Sequence, residues 1–146
     1  MSNTDSYNLA RFVSAQERVY ETVVSELRSG SKRSHWMWFI FPQIEGLGES
    51  PTSRYYAIKD AEEARQYLRH PVLGPRLLEC AGILLALEGR SASQIFGFPD
   101  DMKLKSCMTL FDSVGDSDPV FLRVLDKYFD GKRDQRTLDL LAGKTP

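Results

Sequence analysis

The sequence holds few metal ligands. Its 146 residues include only two histidines and two cysteines. His35, His70, Cys80 and Cys107 contain no close pair at zinc-ligand spacing, so no metal is expected. Both cysteines sit in apolar, helix-like surroundings and read as buried reduced thiols rather than a redox pair. An excess of charge of one sign is also missing. The net charge of −1 argues against a surface built to grip nucleic acid or an anionic membrane. No apolar run approaches the length needed to span a bilayer. The first seven residues lack the apolar stretch of a signal peptide, so the expected location is the cytoplasm. Walker phosphate loops, dinucleotide fingerprints and Gly-x-Ser-x-Gly elbows are absent, and no cofactor is implied. No repeat, low-complexity tract or linker divides the chain. Residues 1–146 therefore read as one globular domain, with 1–6 and 143–146 as flexible tails. A chain of this length buries roughly two thirds of its unfolded surface, and so needs no disulfide or metal for stability.

Helix signals are plentiful. Leucine outnumbers valine and isoleucine together, which tilts the chain toward helix. Leu9, Phe12, Val13, Val19, Tyr20, Val23, Val24 and Leu27 recur mostly at spacings of three and four. They predict one amphipathic helix that stops at Gly30. Gln16 falls on this stripe and reads best as a hydrogen-bonded core glutamine. Asp60 with Glu63 predicts a capped helix ending at His70-Pro71. Pro75 predicts the start of the next helix, which carries Leu77, Ala81 and Leu84 and ends at Gly89. Ser91 and Gln94 form a capping box for a brief turn. Further starts are expected at Asp100, at Asp118-Pro119 and at Asp134. The expected fold is all-α: a bundle of about seven helices with one long loop, Pro42 to Ser53. Loops of that length in compact domains are often functional.

The stretch "SHWMWFIFPQ", Ser34 to Gln43, is ambiguous by length and composition. No convincing partner strand exists for it, so a short buried aromatic helix is expected. Three polar pieces surround it. Lys32, Arg33, Ser34 and His35 precede it as a cationic cluster. "GLGESPTSRYY" follows, with Gly46 and Gly48 as tight-turn positions and Ser50 as a helix cap before Pro51. Free amides, the hydroxyls of Ser50, Thr52 and Ser53, and Arg54 could hold a phosphate there. Lys105, Thr109 and Asp112 share a face of a later helix and could form a pocket wall. Taken singly, each piece reads more simply as a solvated turn, a capped helix start or a solvated helix face.

Several motifs in this order resemble a known family. "SHWMWFIFPQ", "GLGESPTSRYYAI", "HPVLGPRL" and "KLKSCMTLF" are similar to the bacterial domain of unknown function 1810 family, sometimes labelled calpastatin-like. The resemblance runs from about Phe12 to Leu141 and implies a compact, all-helical single domain. Cys107 stands where that family's pattern usually has serine, which weakens any thiol-based chemistry. The calpastatin label implies nothing, because a helical globular domain is unlike a disordered inhibitor. The family carries no activity or catalytic set onto this chain, so whether it is an enzyme stays open.

The leading functional expectation is a pocket for a small anionic, nucleotide-like ligand. Trp36 or Trp38 would stack on a ring. Lys32, Arg54 or Lys105 would neutralise phosphate, and Gln43, Ser50 and Ser53 would add hydrogen bonds. If the protein catalyses a reaction, His35 is the side chain best suited to acid/base work near neutral pH. The alternative is a non-catalytic module whose rings dock a protein partner. Binding of single-stranded nucleic acid by stacking is the weakest reading.

Overall fold

Stripes of leucine and aromatic residues at helical spacing, punctuated by side-chain caps, produce an all-α structure. The computed structural model describes residues 5–114 and 118–143, so much of the two expected tails lies outside the described residues. The described residues form ten helices. They are α1 (Ala10–Glu17), α2 (Tyr20–Ser29), α3 (Met37–Ile40), α4 (Pro51–Tyr55), α5 (Ala61–Arg69), α6 (Leu73–Ala86), α7 (Ala92–Phe96), α8 (Asp100–Asp112), α9 (Val120–Phe129) and α10 (Gln135–Leu141). The expected count was about seven. Single-turn helices α4 and α7 and a division of the first stripe account for the excess.

That division corrects the first expectation. Periodicity predicts one helix through Leu27, but α1 ends at Glu17 and α2 starts at Tyr20, with Val19 at φ −117° and ψ −6° between them. The two halves serve different neighbours: α1 packs on α3, and α2 packs on α6. One straight rod would not face both. Gln16, 1% exposed at the end of α1, stitches the break. It donates to the Phe39 carbonyl at 2.8 Å and to the Tyr67 hydroxyl at 3.2 Å, and accepts from Arg76 at 3.2 Å.

Most local signals act where expected. Gly30 closes α2 in the left-handed conformation, and Ser31 N–H reaches back to the Glu26 carbonyl. Ser50, Asp60, Ser91 and Asp134 each accept a backbone N–H at the start of a helix. The start of α6 differs from expectation. It begins at Leu73, because His70 Nδ1 accepts from the N–H groups of Val72 and Leu73 at 3.1 and 3.3 Å. Pro75 thus falls in the first turn, where its missing N–H costs nothing. Gly74 is required beside it. A Cβ there would stand 2.1 Å from the Leu68 carbonyl oxygen, so the end of α5 and the start of α6 meet backbone to backbone.

Helices α6 and α8 form the centre. α6 packs on α2, α5 and α9, while α8 packs on α5, α7, α9 and α10. A spine of rings crosses this centre: Phe12 to Tyr67 at 5.1 Å, Tyr67 to Phe111 at 5.4 Å, and Phe111 to Phe121 at 5.8 Å. All four are fully buried, and each contributes about 2–3 kcal/mol by leaving water. The residues that flank α3 supply a second ring cluster, in which Trp36 and Phe41 both pack on Phe96 of α7. The aromatic run is therefore a short buried helix, as expected. After it, the chain pairs briefly with the segment before α5 through a parallel bridge between Ile44 and Ile58. No described helix is long and apolar enough to cross a membrane.

Cys80 and Cys107 are buried and unbonded to each other. Burial pushes the Cys80 thiol up to about 12 and the Cys107 thiol well above its usual value. Thiolate is the reactive form, so both are inert in the folded protein. Ellman's reagent is expected to label neither cysteine in buffer and both in guanidinium. Stoichiometric labelling of native protein would overturn the placement of these thiols.

Candidate functional site

The segment between α2 and α3 has no secondary structure of its own, and a single carboxylate organises it. Glu26, on the inner face of α2, is 7% exposed. Its Oε1 accepts from the N–H groups of Arg33 at 2.8 Å and Ser34 at 3.0 Å and from Trp36 Nε1 at 2.9 Å. Its Oε2 accepts from the Ser34 hydroxyl at 2.6 Å. Burial alone would raise this carboxyl. The hydrogen bonds from Ser34, Arg33 and Trp36 outweigh burial and hold it down at about 2. Lys32 closes the other side: its ammonium lies 2.9 Å from Asp100 of α8 and 5.1 Å from the Trp36 ring centre. Trp36 is thereby pinned at both its polar edge and its face.

With Trp36 fixed, α3 turns Trp38 toward the loop that follows. Trp38 is half-buried and lines a small recess with Gln43, Ile44, Gly48, Ser53, Tyr56 and Ala57. The recess encloses about 10 Å³, room for a single water or one polar group of a larger molecule. Gly48 makes its wall thin. A Cβ there would stand 2.6 Å from Ser53 Cβ, so only glycine lets the loop lie against α4. Ser50 fixes Ser53 by accepting its N–H at 3.1 Å and donating to its hydroxyl at 2.9 Å. The side-chain amide of Gln43 has no hydrogen-bond partner among the described residues. Lys103 of α8 completes the site, with its ammonium 4.9 Å from the centre of the Trp38 ring. Asp100 holds Lys103 at 3.4 Å as well as Lys32 at 2.9 Å, which links the two tryptophans through one carboxylate.

Of the residues singled out in the sequence, Trp38, Gln43 and Ser53 meet in this recess, and Ser50 supports it from behind. Lys32 connects to it through Asp100, but its charge is already matched. Arg54 and His35 are exposed, and Lys105 is half-buried; none of the three lines the recess. His35 has no hydrogen bond or ion pair among the described residues, so nothing orients its ring for acid/base work. The expected wall of Lys105, Thr109 and Asp112 is instead structural. Thr109 is fully buried, donates to the Lys105 carbonyl and accepts from Asp134 N–H at 2.9 Å, while Asp112 pairs with Arg133 at 2.6 Å. Among the described residues, no group of three or more histidine, cysteine or acidic side chains is placed to hold a metal.

Sequence reasoning missed three contributors. Lys103 lies two residues before the lysine it singled out. Its signal was the i, i+3 spacing to Asp100. Glu26 and the ion pair of Arg11 with Glu63 gave no local signal, because the partners of Glu26 lie beyond the helix turn, seven to ten residues on, and Glu63 lies 52 residues from Arg11. Arg11 uses all five of its N–H groups: on the carbonyls of Tyr7, Asn8, Tyr55 and Ala57, and on Glu63 Oε2 at 3.0 Å. This ties the start of the chain to the far side of the site, since Tyr56 and Ala57 are recess walls.

The model of a protein family described as "Protein of unknown function (DUF1810)" matches residues 6–141. The solved structure of the conserved hypothetical protein Rv1873 from Mycobacterium tuberculosis is similar throughout. It shares 54% sequence identity with a TM-score of 0.93, over 94% of this chain and 99% of that one. No curated protein matches the sequence. With a family match across nearly its whole length, the chain belongs to the DUF1810 family.

Proposed function

We propose that the protein binds a small anionic, nucleotide-like ligand at the Trp38 recess. The observation that carries this reading is the meeting of a half-buried indole, a cation over its face and an unpartnered amide, Gln43, at one small opening. One polar group of the ligand enters the recess between Gln43 and Ser53. Its ring lies across the mouth against Trp38, and its charge draws Lys103 away from Asp100. Tyr56 gives the recess a second aromatic wall. Nothing in this arrangement requires a reaction, and binding alone accounts for every group in it.

A thermal-shift screen of nucleotides, NAD and ADP-ribose tests the proposal. A ligand at one hundred times its Kd stabilises by about 2.7 kcal/mol, a rise of several degrees in Tm. Trp38→Ala and Lys103→Ala are each expected to abolish the rise while leaving the apo protein folded. No shift at millimolar ligand, or a shift that persists in Trp38→Ala, sinks the reading. The competing view, a protein-docking module, is favoured by Phe98, 82% exposed beside Met102 at 43%. Those residues lie outside the recess, so a partner whose capture survives Trp38→Ala and is lost in Phe98→Ala would support docking instead.

A further inference from the structure

Helices α2 and α6 leave a groove between them made of two adjoining clefts of about 440 and 500 Å³. Arg28 of α2 and Glu79 of α6 line both clefts and therefore mark the middle of the groove. Val24, Ile83, Ala86 and Leu87 supply apolar walls. Neither charged side chain forms an ion pair among the described residues. Glu79 instead accepts a hydrogen bond from the Tyr20 hydroxyl, which fixes its carboxylate at the groove.

Glu21 adds a second acid, but it lines only one of the two clefts, whereas Arg28 and Glu79 share the middle. With no ion-pair partner among the described residues, these two make the middle of the groove complementary to itself. Rotation by half a turn places Arg28 of one copy on Glu79 of the other, and the same contact forms a second time across the axis. We propose that the occupant of the α2/α6 groove is a second copy of this chain, in a twofold-symmetric dimer. Gly82 fits this arrangement. It lies inside α6, where glycine is disfavoured relative to alanine. Gly74 is required by the close approach of Leu68, but a Cβ on Gly82 would meet no atom of the described residues within 4 Å. Gly82 thus leaves the wall of α6 open, and a second copy could approach its backbone closely there. The contact would be an apolar seam with two charge pairs at its centre, the arrangement that fixes register and excludes wrong partners.

Sedimentation of the full chain over a concentration series tests the dimer. The native protein is expected to be dimeric at tens of micromolar. Arg28→Glu and Glu79→Arg each place like charges together twice and are expected to weaken the dimer at least tenfold. Mixing the two single variants restores opposite charges at both contacts, so the mixture is expected to form a heterodimer. The double variant, with the charges exchanged, is expected to recover its own dimer. Gly82→Leu should dissociate the dimer without lowering the melting temperature of the monomer, and it keeps the test standing if Glu79→Arg does not fold. A native protein that stays monomeric at several hundred micromolar overturns the proposal. So does a mixture of the charge variants that remains monomeric.

Discussion

Replacing Glu26 with glutamine is expected to destabilise the protein by about 3 kcal/mol at neutral pH. The carboxylate accepts from four donors with both oxygens. Glutamine keeps one oxygen and turns an NH₂ group toward donors that have no other partner among the described residues. The same change removes a titration from the folded state. Glu26 titrates at about 2 in the fold, against roughly 4.3 in an unfolded chain. A depressed carboxyl contributes stability that is fully present above the unfolded value. That stability is lost as pH falls toward the folded value. The difference of about two units corresponds to about 3 kcal/mol, lost between about pH 5 and pH 2. Urea unfolding of both proteins from pH 7 to pH 3 checks this. The gap between them should shrink to less than half by pH 3. A gap that holds constant over that range would show that the loop does not keep Glu26 ionised. Because Glu26 orders Ser34 to Trp36, the loss should also expose the Trp36 indole, seen as a red shift of its fluorescence.

Arg11→Met is expected to cost 3–5 kcal/mol, more than the double change Arg11→Met with Glu63→Leu. The single substitution leaves the Glu63 carboxylate, 0% exposed, without its ion-pair partner. It also strands the carbonyls of Tyr55 and Ala57, which the guanidinium holds at 2.6 and 2.9 Å. Removing both charges relieves the buried carboxylate and leaves only the hydrogen bonds to be lost. A double-mutant cycle by urea unfolding should therefore give a coupling of about 2 kcal/mol or more. Single costs that add to the double within about 0.5 kcal/mol would mean the pair contributes no coupling. Tyr56 and Ala57 lie beside the anchored carbonyls, so the Arg11 variant should also weaken the binding proposed for the Trp38 recess.

These two expectations rest on contacts that sequence reading did not find, and the reason is range. Ser50, Asp60, Ser91 and Asp134 were legible as caps because a cap acts on an N–H two or three residues away. The Gly30 stop and the Ser91–Gln94 box are local in the same sense. Gln16 was legible as a core glutamine because it breaks an apolar stripe, yet its partners, Phe39, Tyr67 and Arg76, were not. The break between α1 and α2 was also invisible. Spacing from Leu9 to Leu27 suits one helix, and only the separate demands of α3 and α6 divide it.

The site divides the same way. Trp38, Gln43 and Ser53 could be singled out by residue type around an aromatic run, but nothing in their spacing excluded His35, Arg54 or Lys105 from joining them. Asp100 made that selection by holding Lys103 beside Trp38. The sequence by itself determined the helical class, most helix ends and the burial of the aromatic run, because periodicity and capping are interactions between near neighbours. The tertiary structure alone decided which charges are buried and which polar groups share an opening. Those depend on pairs such as Arg11 with Glu63, 52 residues apart, that only packing brings within 3.0 Å.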